Sequence, residues 1–182
     1  MTARHVRLQG GTSLVEVLVT MVILSIGLLA LVVLHGRLHL LQMESYQRSQ
    51  ALILLNDMAT RIALNRNDVG NYLTGGTPLG VGQPCPVGTA TRQEADLAEW
   101  CAALQGAGEL LGANLVGAMV GGRGCIDDIG GGRYLVSVAW QGQAPISAPP
   151  AGLTCGANLY DGAVGTPCQG DMCRRVVSTV VR

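Results

Sequence analysis

Six cysteines are the residues best suited to covalent chemistry in this chain of 182 residues. All of them lie downstream of an apolar amino-terminal segment, at Cys85, Cys101, Cys125, Cys155, Cys168 and Cys173. Disulfides formed in an oxidising compartment are typical of such an even set. A metal site is the alternative, but the sequence contains no CxxC pair. We expect disulfides, with one local bridge between Cys85 and Cys101 and another among the last three cysteines, although the spacing leaves the connectivity open.

A lone carboxylate, Glu16, is the other residue whose position demands a chemical explanation. It is the only ionisable member of an apolar run of 21 residues from Leu14 to Leu34. At about 1.5 Å per residue, a helix of this length spans about 31 Å, enough to cross a bilayer core of about 30 Å. A carboxylate at the bilayer centre costs about 2.5–3.5 kcal/mol, and somewhat less near the edge, so Glu16 needs a cationic partner. The next cation along the chain, Arg37, is too far along the same helix to reach it.

The residues before the apolar run are basic, with Arg4, His5 and Arg7 and no acidic residue before Glu16. The positive-inside rule therefore puts the first ten residues in the cytoplasm and the cysteines on the other side of the membrane. An ordinary cleaved secretory signal is an alternative, but such signals have apolar cores of about 7–15 residues and end at a small-x-small site. This run is longer and ends in Leu34-His35-Gly36.

A cut just before Thr12 would give Glu16 its partner. The new amino group would lie four residues ahead of Glu16, and in a stack of identical helices one subunit's carboxylate would meet another subunit's amine. Such a charged pair, kept away from lipid, would fix the axial register of the stack. A plain uncleaved anchor is the alternative, and it leaves both Glu16 and the small residues before it unexplained.

The run Gly11-Thr12-Ser13-Leu14-Val15-Glu16, followed by the apolar residues 17–29, resembles the type III signal of type IV prepilins. The resemblance implies that a prepilin peptidase cuts between Gly11 and Thr12, that the new amino terminus at Thr12 is methylated, and that Glu16 serves filament assembly. Thr12 stands where the family usually has phenylalanine. Gly10 offers a second cut position, but a cut there would move Glu16 from the fifth to the sixth mature position.

Composition argues against nucleic-acid binding and against catalysis. The 12 basic residues, all arginine, balance 12 acidic ones, so no net charge draws the chain to nucleic acid. No histidine follows His39, which removes Ser–His and Cys–His arrangements from the rest of the chain.

The remaining candidate site residues have simpler interpretations. Asp96 and Glu99 lie on a predicted helix and are interpreted as solvated residues. His35 and His39 lack a third metal ligand and are interpreted as polar residues just above the membrane. We expect no catalytic residue, no cofactor and no metal.

The helix that begins in the apolar run is predicted to continue to about residue 65, because no proline interrupts it. Its outer half is predicted to be amphipathic, with an apolar stripe formed by Leu52, Leu55, Ala59 and Ile62 and with Arg61 facing elsewhere. The predicted organisation is a cytoplasmic leader over residues 1–11, a transmembrane half-helix over 12–35, an amphipathic half-helix over 36–69 and a periplasmic globular domain over 70–182.

The globular part is predicted to combine one short helix with a small antiparallel sheet. Thr91 and Glu94 predict a capping box that opens a helix ending near Gln105, and no secondary structure is assigned to residues 106–124. Strands are predicted over 133–140 and 174–181, with a third over 125–129. On that third strand, Asp127 and Asp128 point to opposite sides and are read as solvated residues, with calcium binding as the alternative.

These elements resemble the pilin-like α+β fold, in which a long N-terminal helix packs on a small antiparallel sheet with disulfide-stapled loops. Within that set the chain looks like the PilV-type minor pilins. The resemblance implies a non-enzymatic assembly, priming or tip component of a type IV pilus, held first in the inner membrane and later exposed on the filament. Its implied partners are a prepilin peptidase, other minor pilins and the major pilin. A minor pseudopilin of a type II secretion system and a pilus-tip adhesin are the alternatives.

Overall fold

The computed structural model describes residues 13–108, 110–112, 114, 115, 117 and 119–182. The chain divides into two compact units, Met1–Leu41 and Gln42–Arg182. The described part of the first is helical from Leu14 onward, and the second contains the larger sheet and the disulfides. The boundaries predicted at residues 11, 35 and 69 concern the membrane and the leader, and they stay predictions.

Helix α1 spans Leu14–Leu64, and its residues up to Leu41, together with Ser13, make up the described part of the first unit. By length and composition it could cross a membrane, and no other helix in the described part of the chain could do so. Its hydroxyl groups are satisfied internally, since Thr20 donates to the Val17 carbonyl oxygen at 2.8 Å and Ser25 to that of Met21 at 2.8 Å. Internal hydrogen bonding of this kind is what an apolar environment requires of a helix.

In the second unit, α1 buries one face against the sheet. The buried residues follow the helical repeat and are Gln47, Ala51, Leu55, Met58 and Ile62. The predicted stripe was therefore partly wrong: Leu55 and Ile62 are buried, but the side chain of Leu52 is 41% exposed. The packing partner decides which of two neighbouring apolar stripes is covered, and that partner cannot be read from the helix sequence alone.

Two short helices follow α1. A 3₁₀ helix spans Arg66–Tyr72, and helix α2 spans Arg92–Leu104. The predicted capping box at the start of α2 is confirmed, because Thr91 and Glu94 each bond the other's backbone N–H at 3.4 Å. Trp100 on α2 is fully buried and donates its indole N–H to the Leu54 carbonyl oxygen of α1 at 2.9 Å. This bond joins the two helices without leaving a buried donor unpaired.

Six strands form two antiparallel sheets. They are β1 (Leu79–Gly80), β2 (Leu110–Leu111), β3 (Asn114–Leu115), β4 (Arg123–Asp128), β5 (Tyr134–Gln141) and β6 (Arg174–Val181). The larger sheet has the order β1-β4-β5-β6, and β2 pairs only with β3. The three predicted strands are thus present as β4, β5 and β6. Sequence analysis did not predict β1 or the β2–β3 pair.

One face of the larger sheet packs under α1 and α2, and the other carries a smaller cluster. Val136, Val138 and Trp140 of β5 belong to the main core, while Ala139 faces the smaller cluster with Cys125, Cys155 and Tyr160. This separation follows the alternation of side chains between the two faces of a strand. Gly124 of β4 lies directly against the Trp100 indole, so that a Cβ there would collide with the ring.

Three disulfides reinforce this small core. Cys85 pairs with Cys101, Cys125 with Cys155 and Cys168 with Cys173, with Cα–Cα distances of 5.5, 5.7 and 5.2 Å. The first ties a loop to α2, and the second ties β4 to the loop that precedes β6. With these bridges the predicted fold class, a long N-terminal helix and a small antiparallel sheet with disulfide-stapled loops, is confirmed.

Candidate functional site

The candidate assembly site is the start of α1. Ser13 opens the helix: its carbonyl oxygen accepts from the Glu16 N–H at 2.9 Å, and its hydroxyl oxygen accepts from the Val15 N–H at 3.2 Å. Glu16 therefore lies in the first helical turn, where the positive end of the helix dipole favours a carboxylate. The predicted cleavage and methylation residues, Gly11 and Thr12, lie outside the described residues.

Exposed apolar side chains surround Glu16. Leu14, Val15, Val17 and Leu18 are all exposed, as are the apolar side chains that follow along the first unit. Within residues 13–41 no ion pair includes Glu16. An exposed carboxylate within an apolar surface is suited to pair with a cation from another molecule when that surface is buried.

Two histidines lie side by side near the end of the first unit. The rings of His35 and His39 meet edge to face, with 5.3 Å between their centroids. Among the described residues no group of three or more potential ligands could hold a metal ion. Two imidazoles supply only half of a tetrahedral ligand set.

The second unit contains a buried carboxylate whose burial was not predicted from the sequence. The side chain of Asp96 is only 3% exposed, so its interpretation as a solvated residue was wrong. Its oxygens accept from the Tyr72 hydroxyl at 2.6 Å and from Arg61 Nη1 at 2.8 Å, and Arg92 Nε lies 3.3 Å away. Glu99 is 66% exposed, as predicted, and it also bonds Arg61. The Arg61 side chain therefore links α1 to α2 through these two carboxylates.

The partners of Asp96 decide its protonation. Burial raises the pKa of this carboxyl, but the hydrogen bonds from Tyr72 and Arg61 outweigh that effect and hold the pKa below its ordinary value. The pKa of Tyr72 is raised, first by burial and then by its bond to Asp96. Because each group is engaged with neighbours in the same core, the cluster is a structural clamp and offers no free acid or base. The Arg92–Asp96 spacing of four residues was the only local signal of it.

A cleft of about 560 Å³ lies on the face of the sheet opposite α1, where Arg123 and Asp127 of β4 are among its lining residues. The Arg123 guanidinium lies 4.9 Å from the centroid of the Tyr160 ring, and Tyr160 donates its hydroxyl to the Gly121 carbonyl oxygen at 2.8 Å. Burial raises the pKa of Asp127. Asp128 is exposed and accepts from the Gly130 N–H at 2.7 Å, which is a turn contact. The cleft presents one cation and one carboxylate on a single strand.

Comparison with known proteins bears on the start of α1. The family model described as the prokaryotic N-terminal methylation motif matches residues 6–32, which include Glu16 and most of the apolar run. No curated protein and no solved structure matches the chain significantly. The chain therefore carries the prokaryotic N-terminal methylation motif, the signal of type IV pilins and pseudopilins. The motif covers the start of α1, the one helix among the described residues that could cross a membrane.

Proposed function

We propose that the chain is a minor type IV pilin, cut and methylated by a prepilin peptidase and then built into a priming or tip complex of a pilus. The observation that carries the proposal is the single carboxylate of Glu16 in the exposed apolar first turns of α1, inside the methylation motif. A lone charge at this position is costly in lipid and useful only when a second subunit supplies a cation.

The proposed mechanism is a charge-guided docking step. Removal of residues 1–11 would create an amine at Thr12, and the carboxylate of Glu16 in the neighbouring subunit would accept it as the apolar helices pack together. The pair would exclude other registers, since a slipped helix would leave a carboxylate and an amine unpaired within an apolar bundle. Filament assembly therefore uses binding and position, with no bond made or broken by the chain itself.

The proposal also assigns each part of the chain to the membrane or to the periplasm. Residues 12–35 would span the inner membrane, residues 36–69 would extend the helix outside it, and residues 70–182 would fold in the periplasm. The three disulfides support the oxidising side of the membrane for the second unit. Major pilins tend to carry a proline inside the membrane helix. The absence of proline between Thr12 and Leu64 therefore supports a minor subunit, whose helix is expected to be straighter.

A minor pseudopilin of a type II secretion system would share the motif and the helix described above. The two assemblies differ in the other minor subunits and in the major subunit that the chain joins. We favour the pilus because the tryptophan-bearing α2 and the arginine-led, valine-rich β6 resemble those of PilV-type minor pilins.

Replacement of Glu16 tests this mechanism. The Glu16→Gln chain is expected to reach the membrane and lose its leader but to be depleted from sheared filaments by about tenfold or more, because a neutral amide cannot pair with the amine as an ion. Immunoblots of the sheared fraction and of the membrane fraction measure both steps. Ser25→Ala, a polar change in the same helix, is the control and should leave incorporation intact. Equal incorporation of Glu16→Gln and wild type would refute the assembly role of the carboxylate.

A further inference from the structure

The two edges of the larger sheet differ in their protection. The β4 edge is covered by the chain itself: β1 pairs with it, Thr74 N–H donates to the Ile126 carbonyl oxygen at 3.1 Å, and Val81 N–H donates to that of Gly122 at 2.9 Å. Even the Ile126 N–H is used, since the Thr74 hydroxyl accepts from it at 3.2 Å. This edge has no backbone groups left to bind another strand over residues 122–126.

The β6 edge is open. Strand β6 pairs with β5 in an antiparallel register that continues to Gly142, whose N–H donates to the Cys173 carbonyl oxygen at 2.7 Å. Because bonding alternates along an antiparallel pair, the odd-numbered residues of β6 bond β5 and the even-numbered ones face away. The outward residues are Val176, Ser178 and Val180. Within the described part of the chain, no group bonds the backbone N–H or C=O of these three residues.

The usual protections of a sheet edge are missing from this strand. It contains no proline and no lysine, and its pairing with β5 is unbroken over eight residues. Its two initial arginines are already engaged: Arg174 pairs with Asp171 at 3.1 Å and Arg175 with Glu44 at 2.7 Å. The side chain of Val180 is 49% exposed beside the free edge. A strand of this kind is a ready template for a strand from another chain.

We propose that β6 is a docking edge, and that it accepts an extended acidic strand from a different subunit of the filament. The proposal rests on the proposed function, since it names the surface by which this pilin-type subunit would hold a neighbour outside the membrane. The occupant would add a fifth strand to the sheet and bond the outward groups of Val176, Ser178 and Val180.

Two arginines beside the strand indicate that the occupant is acidic. Beside the last residues of β6, a groove of about 810 Å³ runs between α1 and the strand, and its lining includes Arg66 and Arg182. Neither side chain forms an ion pair with a described residue. A second copy of this chain fits poorly, because β6 contains no acidic residue that could pair with Arg66 or Arg182 of the other copy. A strand that carries carboxylates near its end is the matching partner.

Ser178→Pro tests the edge selectively. Proline removes an N–H that faces away from β5, so the internal ladder keeps its hydrogen bonds and only the outer edge loses a donor. The variant is expected to lose its leader like wild type and to be depleted from sheared filaments by about tenfold. Ser178→Ala keeps the N–H and should be incorporated normally. If wild type itself is absent from filaments, the proposed function fails; if wild type and Ser178→Pro are incorporated equally, the docking edge is overturned.

Hydrogen exchange on the wild-type chain keeps the proposal testable even where the proline variant misfolds. The amides of Val176, Ser178 and Val180 are expected to exchange at least about tenfold more slowly in filaments than in the detergent-extracted chain. Unchanged exchange at these amides in filaments would contradict the proposal.

Arg66→Glu and Arg182→Glu should each weaken incorporation of the chain into filaments. A purified chain that dimerises through β6, with Ser178→Pro abolishing the dimer, would show self-pairing and overturn the acidic occupant.

Discussion

Asp96 shows how a buried charge is held at the scale of single residues. Its carboxylate lies among groups from three separate elements: Arg61 of α1, Tyr72 of the 3₁₀ helix and Arg92 of α2. Each contact supplies a donor that offsets the loss of water around the charge. The second unit therefore depends on this carboxylate to join its helices.

Asp96→Asn is expected to lower the free energy of unfolding of the second unit by about 1–3 kcal/mol, because an amide replaces a buried charged acceptor. Urea unfolding of the detergent-purified chain, followed by tryptophan fluorescence, measures the change. Glu99→Gln is the matched control on the same helix: its side chain is exposed, and it should cost less than about 1 kcal/mol.

The same variant changes the pH dependence of unfolding. The pKa of Asp96 is lower in the folded chain, so its contribution to stability is present above the unfolded value of about 3.9 and is lost as the pH falls through the folded value. Wild type should therefore lose stability below about pH 4 more steeply than Asp96→Asn. Parallel curves for the two chains across that range would contradict the clamp.

The two carboxylates differ in how far sequence could reveal them. Glu16 could be predicted, because a charge inside an uninterrupted apolar run is visible without any knowledge of folding. Asp96 could not, since its burial depends on Arg61 and Tyr72, which lie 35 and 24 residues away along the chain. On its own helix it stands beside charged neighbours, as a solvated residue would.

At the scale of elements, β4 packs closely against α2 at a glycine. Gly124 on β4 leaves space for the Trp100 ring, and the same ring reaches α1 through its bond to Leu54. Three elements therefore meet at one indole, and the strand must have no side chain at that point.

Gly124→Ala is expected to destabilise the second unit by about 1–3 kcal/mol, because the added methyl group forces the indole out of its place. Thermal unfolding monitored by near-ultraviolet circular dichroism would report both the loss and the changed tryptophan environment. Gly152→Ala is the control, since a Cβ there would meet nothing within 4 Å. A Gly124→Ala chain as stable as this control would contradict the packing.

The elements that sequence predicted correctly are the long or strongly patterned ones. β5 and β6 each have eight residues with a clear apolar pattern, and α2 has its capping box. β1 has only two residues, too few for any periodicity, and it exists because the β4 edge needs hydrogen-bond partners. The predicted buried face of α1 was partly wrong for a similar reason. The sheet that packs on α1 is not visible in the helix sequence, and it buries Ala51 and Met58.

At the scale of the whole molecule, the chain separates an apolar unit from a disulfide-bonded one. Through Leu41, every described residue is exposed, which suits a helix whose surroundings are lipid or other helices. From Gln42 onward, a core with few aromatic side chains is reinforced by three disulfides. Each unit suits one of the two environments that we propose for the chain, the membrane and the oxidising compartment outside it.

The intact mass of the membrane-extracted chain, from cells with and without a prepilin peptidase, tests the central claim most directly. We predict that the chain loses residues Met1 to Gly11 and gains the mass of one methyl group only where the peptidase is present. A full-length chain in both strains, or a cut beyond Leu34, would contradict the proposal that this is a pilin-type subunit.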